Sequence, residues 1–259
     1  DDLLLISRHG IGFNNVDVKA AKAHGTLVTI VPQLVERDSV AENELVNLLT
    51  MVRRTVPAAE RERAGRYEDR AEFMGNELSG KTFGVIGCGN IGSRVAELFS
   101  VFGGQVFIAD PDPKAPAGWL KNHNVQHVDL DTLLKNCDYV SLNASLNDGD
   151  YHLINADKVA LMKDGAYLCN NGRGALIDED AVLAGVESGK LAGYAADAVE
   201  VEPVPADHPF LKNDRILLTP HTSAYTYECL HGMGEKCVSD VKNVIANKPL
   251  VRELTSTLA

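Results

Sequence analysis

The stretch Thr82-Phe83-Gly84-Val85-Ile86-Gly87-Cys88-Gly89-Asn90-Ile91-Gly92-Ser93-Arg94-Val95-Ala96-Glu97-Leu98-Phe99 decides the fold. Its opening apolar run has the length of a buried strand, and after Gly92 the apolar positions recur at helical spacing, so the stretch reads as strand, tight turn and helix. The turn is Gly-x-Gly-x-x-Gly. Gly87 makes the bend, Gly89 lets a pyrophosphate approach the backbone, and Gly92 lets the helix pack closely on the sheet, with the phosphates at the helix N-terminus. A glycine pattern alone is weak. The following run Gln105-Val106-Phe107-Ile108-Ala109-Asp110 supplies the next strand and ends on an acid about 20 residues further on, where a carboxylate accepts hydrogen bonds from an adenosine ribose. A ligand-free β-α turn leaves Asp110 unexplained. The stretch therefore reads as a dinucleotide site.

The chain around it has 259 residues, room for one large or two modest domains, and its 45% hydrophobic and 24% charged residues are ordinary for a globular protein. A formal net charge of -11 argues against nucleic acid or an anionic membrane as partner. No apolar stretch reaches the length of a membrane span, and no signal-peptide pattern opens the sequence. The five cysteines (Cys88, Cys137, Cys169, Cys229, Cys237) are scattered without a Cys-x-x-Cys, which suggests neither a disulfide framework nor a metal site. A reducing cytoplasm is the expected compartment.

Upstream, Leu3-Leu4-Leu5-Ile6-Ser7 reads as a strand, His9 to Asn15 as a glycine-rich loop, Lys19 to Ala23 as a short helix stopped by Gly25, and Thr26 to Val31 as a strand. One β-α-β unit is too small to bury a core. The sequence opens on Asp1, and residues before it are expected to complete a small parallel sheet around Leu3 to Ile6. Ser39-Val40-Ala41-Glu42 reads as a capping box that starts a long helix, with Val46, Leu49 and Val52 or Val56 as its buried stripe. The charged run Glu60-Arg61-Glu62-Arg63 reads as a solvated helix face or a subunit contact. After Asp110, Pro111, Pro113 and Pro116 enforce an irregular connection.

From there strands alternate with helices: helix from Leu130, strand Tyr139 to Leu142, helix Asp157 to Met162, strand Ala166 to Asn170, a helix capped by Asp178 and ended by Gly189, strand Gly193 to Asp197, and strand Arg215 to Thr219. This alternation predicts an α/β fold with a doubly wound parallel sheet and helices on both faces. Ligands in such sheets sit beyond the carboxyl ends of the strands. Asp110, Asn143, Arg173, Asp197 and His221 are the polar residues at those ends. The tail, Tyr227 to Ala246, has helical periodicity at Leu230, Met233, Cys237, Val241 and Val244 and is expected to return to the first domain.

Five patterns in one order resemble the D-isomer-specific 2-hydroxyacid dehydrogenases: Gly10-Ile11-Gly12-Phe13-Asn14-Asn15-Val16-Asp17, the glycine turn from Gly87 to Gly92, Asn170-Asn171-Gly172-Arg173-Gly174-Ala175-Leu176-Ile177-Asp178, Asp197-Ala198-Val199-Glu200-Val201-Glu202-Pro203, and Leu218-Thr219-Pro220-His221-Thr222. The resemblance implies a Rossmann-type NAD-binding domain over residues 77–222, inserted in a smaller flavodoxin-like substrate domain made of residues 1–76, incomplete and carrying the linker helix, and residues 223–259. It implies a homodimer formed through the nucleotide-binding domain, with the two domains closing over a small 2-oxo or 2-hydroxy acid. Carried over by motif, Arg173 holds the substrate, Glu202 pairs with the acid/base and His221 is the acid/base. Ile11 and Gly12 match the loop whose N–H groups bind the substrate carboxylate. Gly87, Gly89, Asn90, Ile91, Gly92, Asp110, Asn143, Ala144, Asn171, Gly172, Asp197 and His221 fall at cofactor-contacting positions, with Asp197 on the nicotinamide carboxamide.

The residue chemistry agrees with those roles, since reducing a 2-oxo acid needs a hydride, a fork-shaped cation for a planar oxo acid and a proton donor for the oxygen. Asp110, followed by Pro111-Asp112-Pro113 with no arginine to receive a 2′-phosphate, favours NAD over NADP. Glu200 competes with Glu202, and spacing from Asp197 within the family pattern selects Glu202. Asn143-Ala144-Ser145-Leu146-Asn147-Asp148 departs from the Pro-Leu-Thr common after this strand, and Asn171-Gly172 stands where a small hydroxyl residue often precedes the arginine. Two other readings stay open: 3-phosphoglycerate oxidation, for which only Arg8 is a candidate extra base, and a dinucleotide-sensing protein like the corepressors that share this fold.

Overall fold

Apolar runs of four or five residues, each closed by a turn, build most of a seven-stranded parallel sheet in the computed structural model, which describes residues 2–113, 117–147 and 149–257. Its strands are β3 (Phe83–Ile86), β4 (Val106–Ala109), β5 (Val125–His127), β6 (Tyr139–Leu142), β7 (Ala166–Asn170), β8 (Leu191–Ala196) and β9 (Ile216–Leu218), in the order β5-β4-β3-β6-β7-β8-β9. Every residue of β3, β6 and β7 is buried. That is what helices on both faces of a parallel sheet require, and it explains why these strands read as continuous apolar runs rather than alternating ones. One face packs Leu133, Leu142, Leu168 and Val182, and the other packs Phe83, Val85, Val95, Phe99 and Ile108.

The helices of this sheet are α4 (Asn90–Ser100), α5 (Ala117–Asn122), α6 (Leu130–Asn136), α7 (Ala156–Leu161) and α8 (Glu179–Glu187). Three of them start on an acceptor side chain from the sequence: Asp129, Asn155 and Asp178 each cap the backbone three residues on. Pro116 and Asp148 lie outside the described residues. The short edge strand β5 was not expected. Only Val125 in it is buried, so it carries no apolar run to read. No helix among the described residues is long and apolar enough to cross a membrane.

The chain divides into two compact units, residues 1–39 with 224–259 and residues 40–223. In the first, β1 (Leu5–Ser7) pairs in parallel with β2 (Leu27–Thr29), α1 (Val18–Ala23) joins them, and α9 (Tyr227–Ile245) follows later in the chain. Cys229, Met233 and Asp240 are the buried positions of α9. This is a face turned from the expected apolar stripe, because Asp240 belongs to it: its carboxylate accepts from Ser7 Oγ (2.6 Å) and Thr29 Oγ1 (2.5 Å) and pairs with Lys236.

The long helix differs most from the sequence reading. It is α2 (Gln33–Val52), begun directly after Pro32, so Ser39 is internal and no capping box forms. Val46 and Val56 are exposed, whereas Ala41, Glu44, Leu48, Met51 and Val52 are buried. Leu48, Met51 and Val52 join the Phe83 core, so residues from 40 onward pack with the sheet. Arg54, in a left-handed conformation (φ 51°), separates α2 from α3 (Thr55–Arg63), which buries no residue and carries the charged run.

Glu44 is wholly buried on α2, faced by Ser141 and Asn143, and among the described residues neither of its oxygens closes a hydrogen bond of ordinary geometry. Desolvation disfavours the charged form and lifts the carboxyl from 4.5 to about 8. The folded chain therefore keeps a proton that the unfolded chain releases, so stability falls as pH rises from about 4.5 to about 8 and levels off above. Glu44→Gln removes this term. The stability of the variant relative to wild type, measured by urea unfolding, is expected to rise steadily between pH 5 and pH 8, and a difference that does not change with pH would contradict the buried neutral acid.

Candidate active site

The strand order reverses between β3 and β6, and a crevice opens at the carboxyl ends of such a pair. Gly87 leaves β3 with φ +83°, and a Cβ there would lie 2.6 Å from the backbone nitrogen of Ala144, beyond β6. A Cβ at Gly92 would lie 1.9 Å from the Gly87 carbonyl oxygen, so that glycine sets how closely α4 approaches the turn. Gly89 differs from both. It is the N-cap of α4, no side chain caps the helix, and a Cβ on it would meet nothing within 4 Å. Asn90 and Ile91 open the first turn of α4, and a helix N-terminus favours an anion.

Asp110, directly after β4, accepts from Cys88 N through Oδ2 (2.6 Å) and from Asp112 N through Oδ1 (2.8 Å). Each oxygen keeps a lone pair for a ribose hydroxyl. The residues present thus fit a dinucleotide: an open glycine at a helix N-terminus and an acid tied to the same turn. Burial, with Asp110 beside it, pushes the Cys88 thiol up to about 11.

At the end of β7, buried Asn170 accepts from Gly172 N and donates to the Arg173 carbonyl, both at 3.0 Å, which closes the turn that presents Arg173. Among the described residues the guanidinium donates once, from Nη1 to the Gly172 carbonyl at 2.8 Å. Beyond β9, His221 has φ 54°, and its Nδ1 lies 2.8 Å from Glu202 Oε2. The second Glu202 oxygen accepts from Val199 N (3.3 Å). Glu200 is engaged elsewhere: Tyr151 donates to it at 2.8 Å and the His152 ring lies 3.2 Å away, contacts that hold its carboxyl below the usual range. Among the described residues no hydrogen bond joins Arg173 to His221 or Glu202.

Asp197 is 2% exposed and takes three donors, Thr219 Oγ1 (2.5 Å), Thr222 N (2.9 Å) and Ser223 N (2.7 Å). It therefore pins both sides of His221. Asn143 donates its backbone N–H to the Ile86 carbonyl (2.7 Å) and its amide to Ser141 Oγ (2.5 Å). In the other unit, Ile11 N donates to Glu36 Oε1 (2.8 Å), and Gly12 is half-buried.

Sequence reasoning missed the polar side chains of α2. Asn43 Oδ1 accepts from Asn171 (3.1 Å) and from Asn47 (3.0 Å), and Asn47 also reaches Thr219 Oγ1 (3.4 Å). A helix from outside the dinucleotide motif thus supports the ends of β7 and β9. The available signal was Asn43, Glu44 and Asn47 lying at helical spacing between Ala41, Leu48 and Met51.

Residues 45–223 match the D-isomer specific 2-hydroxyacid dehydrogenase, NAD binding domain. The chain belongs to the D-isomer-specific 2-hydroxyacid dehydrogenase family. It is 38% identical over 243 residues to a hydroxypyruvate reductase of Thermotoga maritima, covering 93% of this chain and 77% of that one. It is 35% identical over 248 residues to a glyoxylate reductase of Thermofilum pendens, covering 95% and 72%. The structure of D-lactate dehydrogenase from Aquifex aeolicus complexed with NAD and lactic acid superposes with a TM-score of 0.84 at 33% identity, over 95% of this chain and 77% of that one. As a member of this family the protein is an NAD-dependent D-2-hydroxyacid dehydrogenase.

The glycines separate folding from cofactor binding. Gly89→Ala adds a methyl that no protein atom opposes, so the dehydrogenase is expected to unfold at an unchanged temperature yet lose NADH affinity, read by fluorescence titration. Gly92→Ala, which would collide with the Gly87 carbonyl, is expected to lose stability as well. Wild-type NADH affinity in Gly89→Ala would move the dinucleotide away from this turn.

Proposed function

We propose that the enzyme interconverts a small 2-oxo acid and its D-2-hydroxy acid, with His221 as acid/base, Glu202 as its partner and Arg173 as the substrate clamp. The observation that carries this reading is the 2.8 Å pairing of His221 Nδ1 with Glu202, which leaves Nε2 without a hydrogen bond among the described residues, on a ring about half exposed. An ionised carboxylate only accepts, so it holds the proton on Nδ1. Nε2 of the neutral ring is then the lone pair that takes a hydroxyl proton, and the imidazolium returns it to the oxygen of a 2-oxo acid. NAD, when bound, supplies or accepts the hydride.

Arg173 spends one N–H on Gly172, which leaves donors for a bidentate grip on the oxo acid. The lone pair of Asp197 Oδ2 not used by Ser223 is assigned to the nicotinamide carboxamide. Ile11 and Gly12 are assigned as backbone donors to the substrate carboxylate, with Ile11 N now held by Glu36. The reading includes a homodimer through the nucleotide-binding unit, which exposes Val56, Tyr67 and Met74 within residues 55–74, and a monomeric mass in solution would count against it. It also places the enzyme in a reducing cytoplasm, in keeping with five free thiols.

Turnover of NADH against a panel of 2-oxo acids tests the reading, and absence of turnover with all of them would overturn it. His221→Gln is expected to lower kcat about 10²–10⁴-fold while NADH affinity stays within about twofold. Arg173→Lys is expected to recover little of what Arg173→Ala loses, because a point charge does not reproduce the fork, and a lysine variant within about threefold of wild type would contradict the clamp.

A further inference from the structure

Glu44 has no part in the chemistry above, yet it faces Asn143, whose backbone lies against the cofactor turn. Its carboxyl is faced from β6 and its continuation by Ser141 and Asn143, which do not titrate and whose donors favour the ionised form less than burial disfavours it. From β7 it is faced by Cys169, whose thiol is pushed well above its ordinary value by burial and by Glu44 itself. Among the described residues no cation pairs with it. The Asn143-Ala144 backbone in turn lies against Gly87, where a Cβ would sit 2.8 Å from the Asn143 carbonyl carbon and 2.6 Å from Ala144 N. Glu44 thus faces the side chain of the residue whose backbone lies against the glycine turn.

The hydrogen-bond inventory of that layer is unbalanced. Among the described residues Asn143 Oδ1 is buried with no donor, while the amide nitrogen of the same side chain serves Ser141. A neutral carboxyl brings an O–H to a cluster that holds an orphan acceptor. An ionised carboxylate brings only acceptors and a charge with no counter-ion, which the donors of Ser141 and Asn143 offset less than burial penalises it, and water entering or a shift of the 141–144 segment relieves the remainder.

We propose that Glu44 is a positioning residue for the cofactor: as a neutral acid it keeps the Asn143-Ala144 segment seated on the glycine turn, and on ionising it loosens that segment and weakens dinucleotide binding. The inference rests on NAD binding at this turn and not on the assignments of His221, Arg173 or the substrate.

Binding of NADH, followed by fluorescence between pH 7 and pH 9.5, tests it. The comparison is His221→Gln with and without Glu44→Gln, so that the histidine contributes no titration, and circular dichroism checks the fold at each pH. If only the neutral form is competent and the carboxyl titrates at about 8, the apparent Kd of the Glu44 protein is expected to be about tenfold weaker at pH 9 than at pH 7. The Glu44→Gln protein is expected to stay within about twofold across the range. An equal pH dependence in both proteins, or a flat Kd in the Glu44 protein, overturns the proposal. Should Glu44→Gln fail to fold, the Glu44 protein alone decides, since a flat Kd from a folded chain is fatal and a rise centred near the carboxyl's value supports it. A failed substrate panel leaves this result standing, whereas NADH that binds at no pH would remove the site itself.

Discussion

The reversal of strand order between β3 and β6 is the constraint on which the candidate site depends. A parallel sheet buried on both faces offers a ligand only its carboxyl edge, and at the reversal the chains leaving two adjacent strands part to opposite faces. Here those chains touch, with Gly87 against the backbone of Ala144. The contact fixes where α4 begins and brings Asp110, tied to Cys88 N, to the same turn. Residues at the ends of β7, β8 and β9 then line up along the same edge because the strands are in parallel register. The catalytic assignment is in this sense a consequence of topology, since no two of Arg173, Glu202 and His221 are neighbours in sequence.

What could be read in advance follows from how strongly burial constrains each segment. Strands 139–142 and 166–170 occur where expected because every residue in them is buried, and a run of that kind has few alternatives. β5 escaped because an edge strand with one buried residue carries no such pattern. The start of α2 was misplaced because Ser39-x-x-Glu42 has the form of a cap, while nothing between Pro32 and Ser39 breaks a helix. Its buried face was misread for a different reason. Glu44 and Asn47 occupy inward positions, and periodicity judged on apolar residues rotates the stripe toward exposed Val46.

The choice between Glu200 and Glu202 shows what spacing does and does not carry. Both acids follow the same strand within a short loop, and composition does not separate them. The structure brings Glu202 to His221 Nδ1 and gives Glu200 to Tyr151 and His152. The support from Asn43 and Asn47 could not be read this way, because it joins α2 to strand ends more than a hundred residues later.

The turn that presents His221 shows how an unfavourable backbone is kept. A non-glycine residue at φ 54° costs about 1–2 kcal/mol. Asp197 receives two backbone N–H groups just after His221 and the hydroxyl of Thr219 just before it. Hydrogen bonds to a charged group contribute about 1.5–3 kcal/mol each, so each of the three is comparable to the local strain it opposes. The conformation of His221 is therefore imposed from β8 rather than chosen by the residue itself. An apolar residue at 197 would leave two N–H groups unpaired beside a strained histidine, and the ring would lose the direction that its pairing with Glu202 requires.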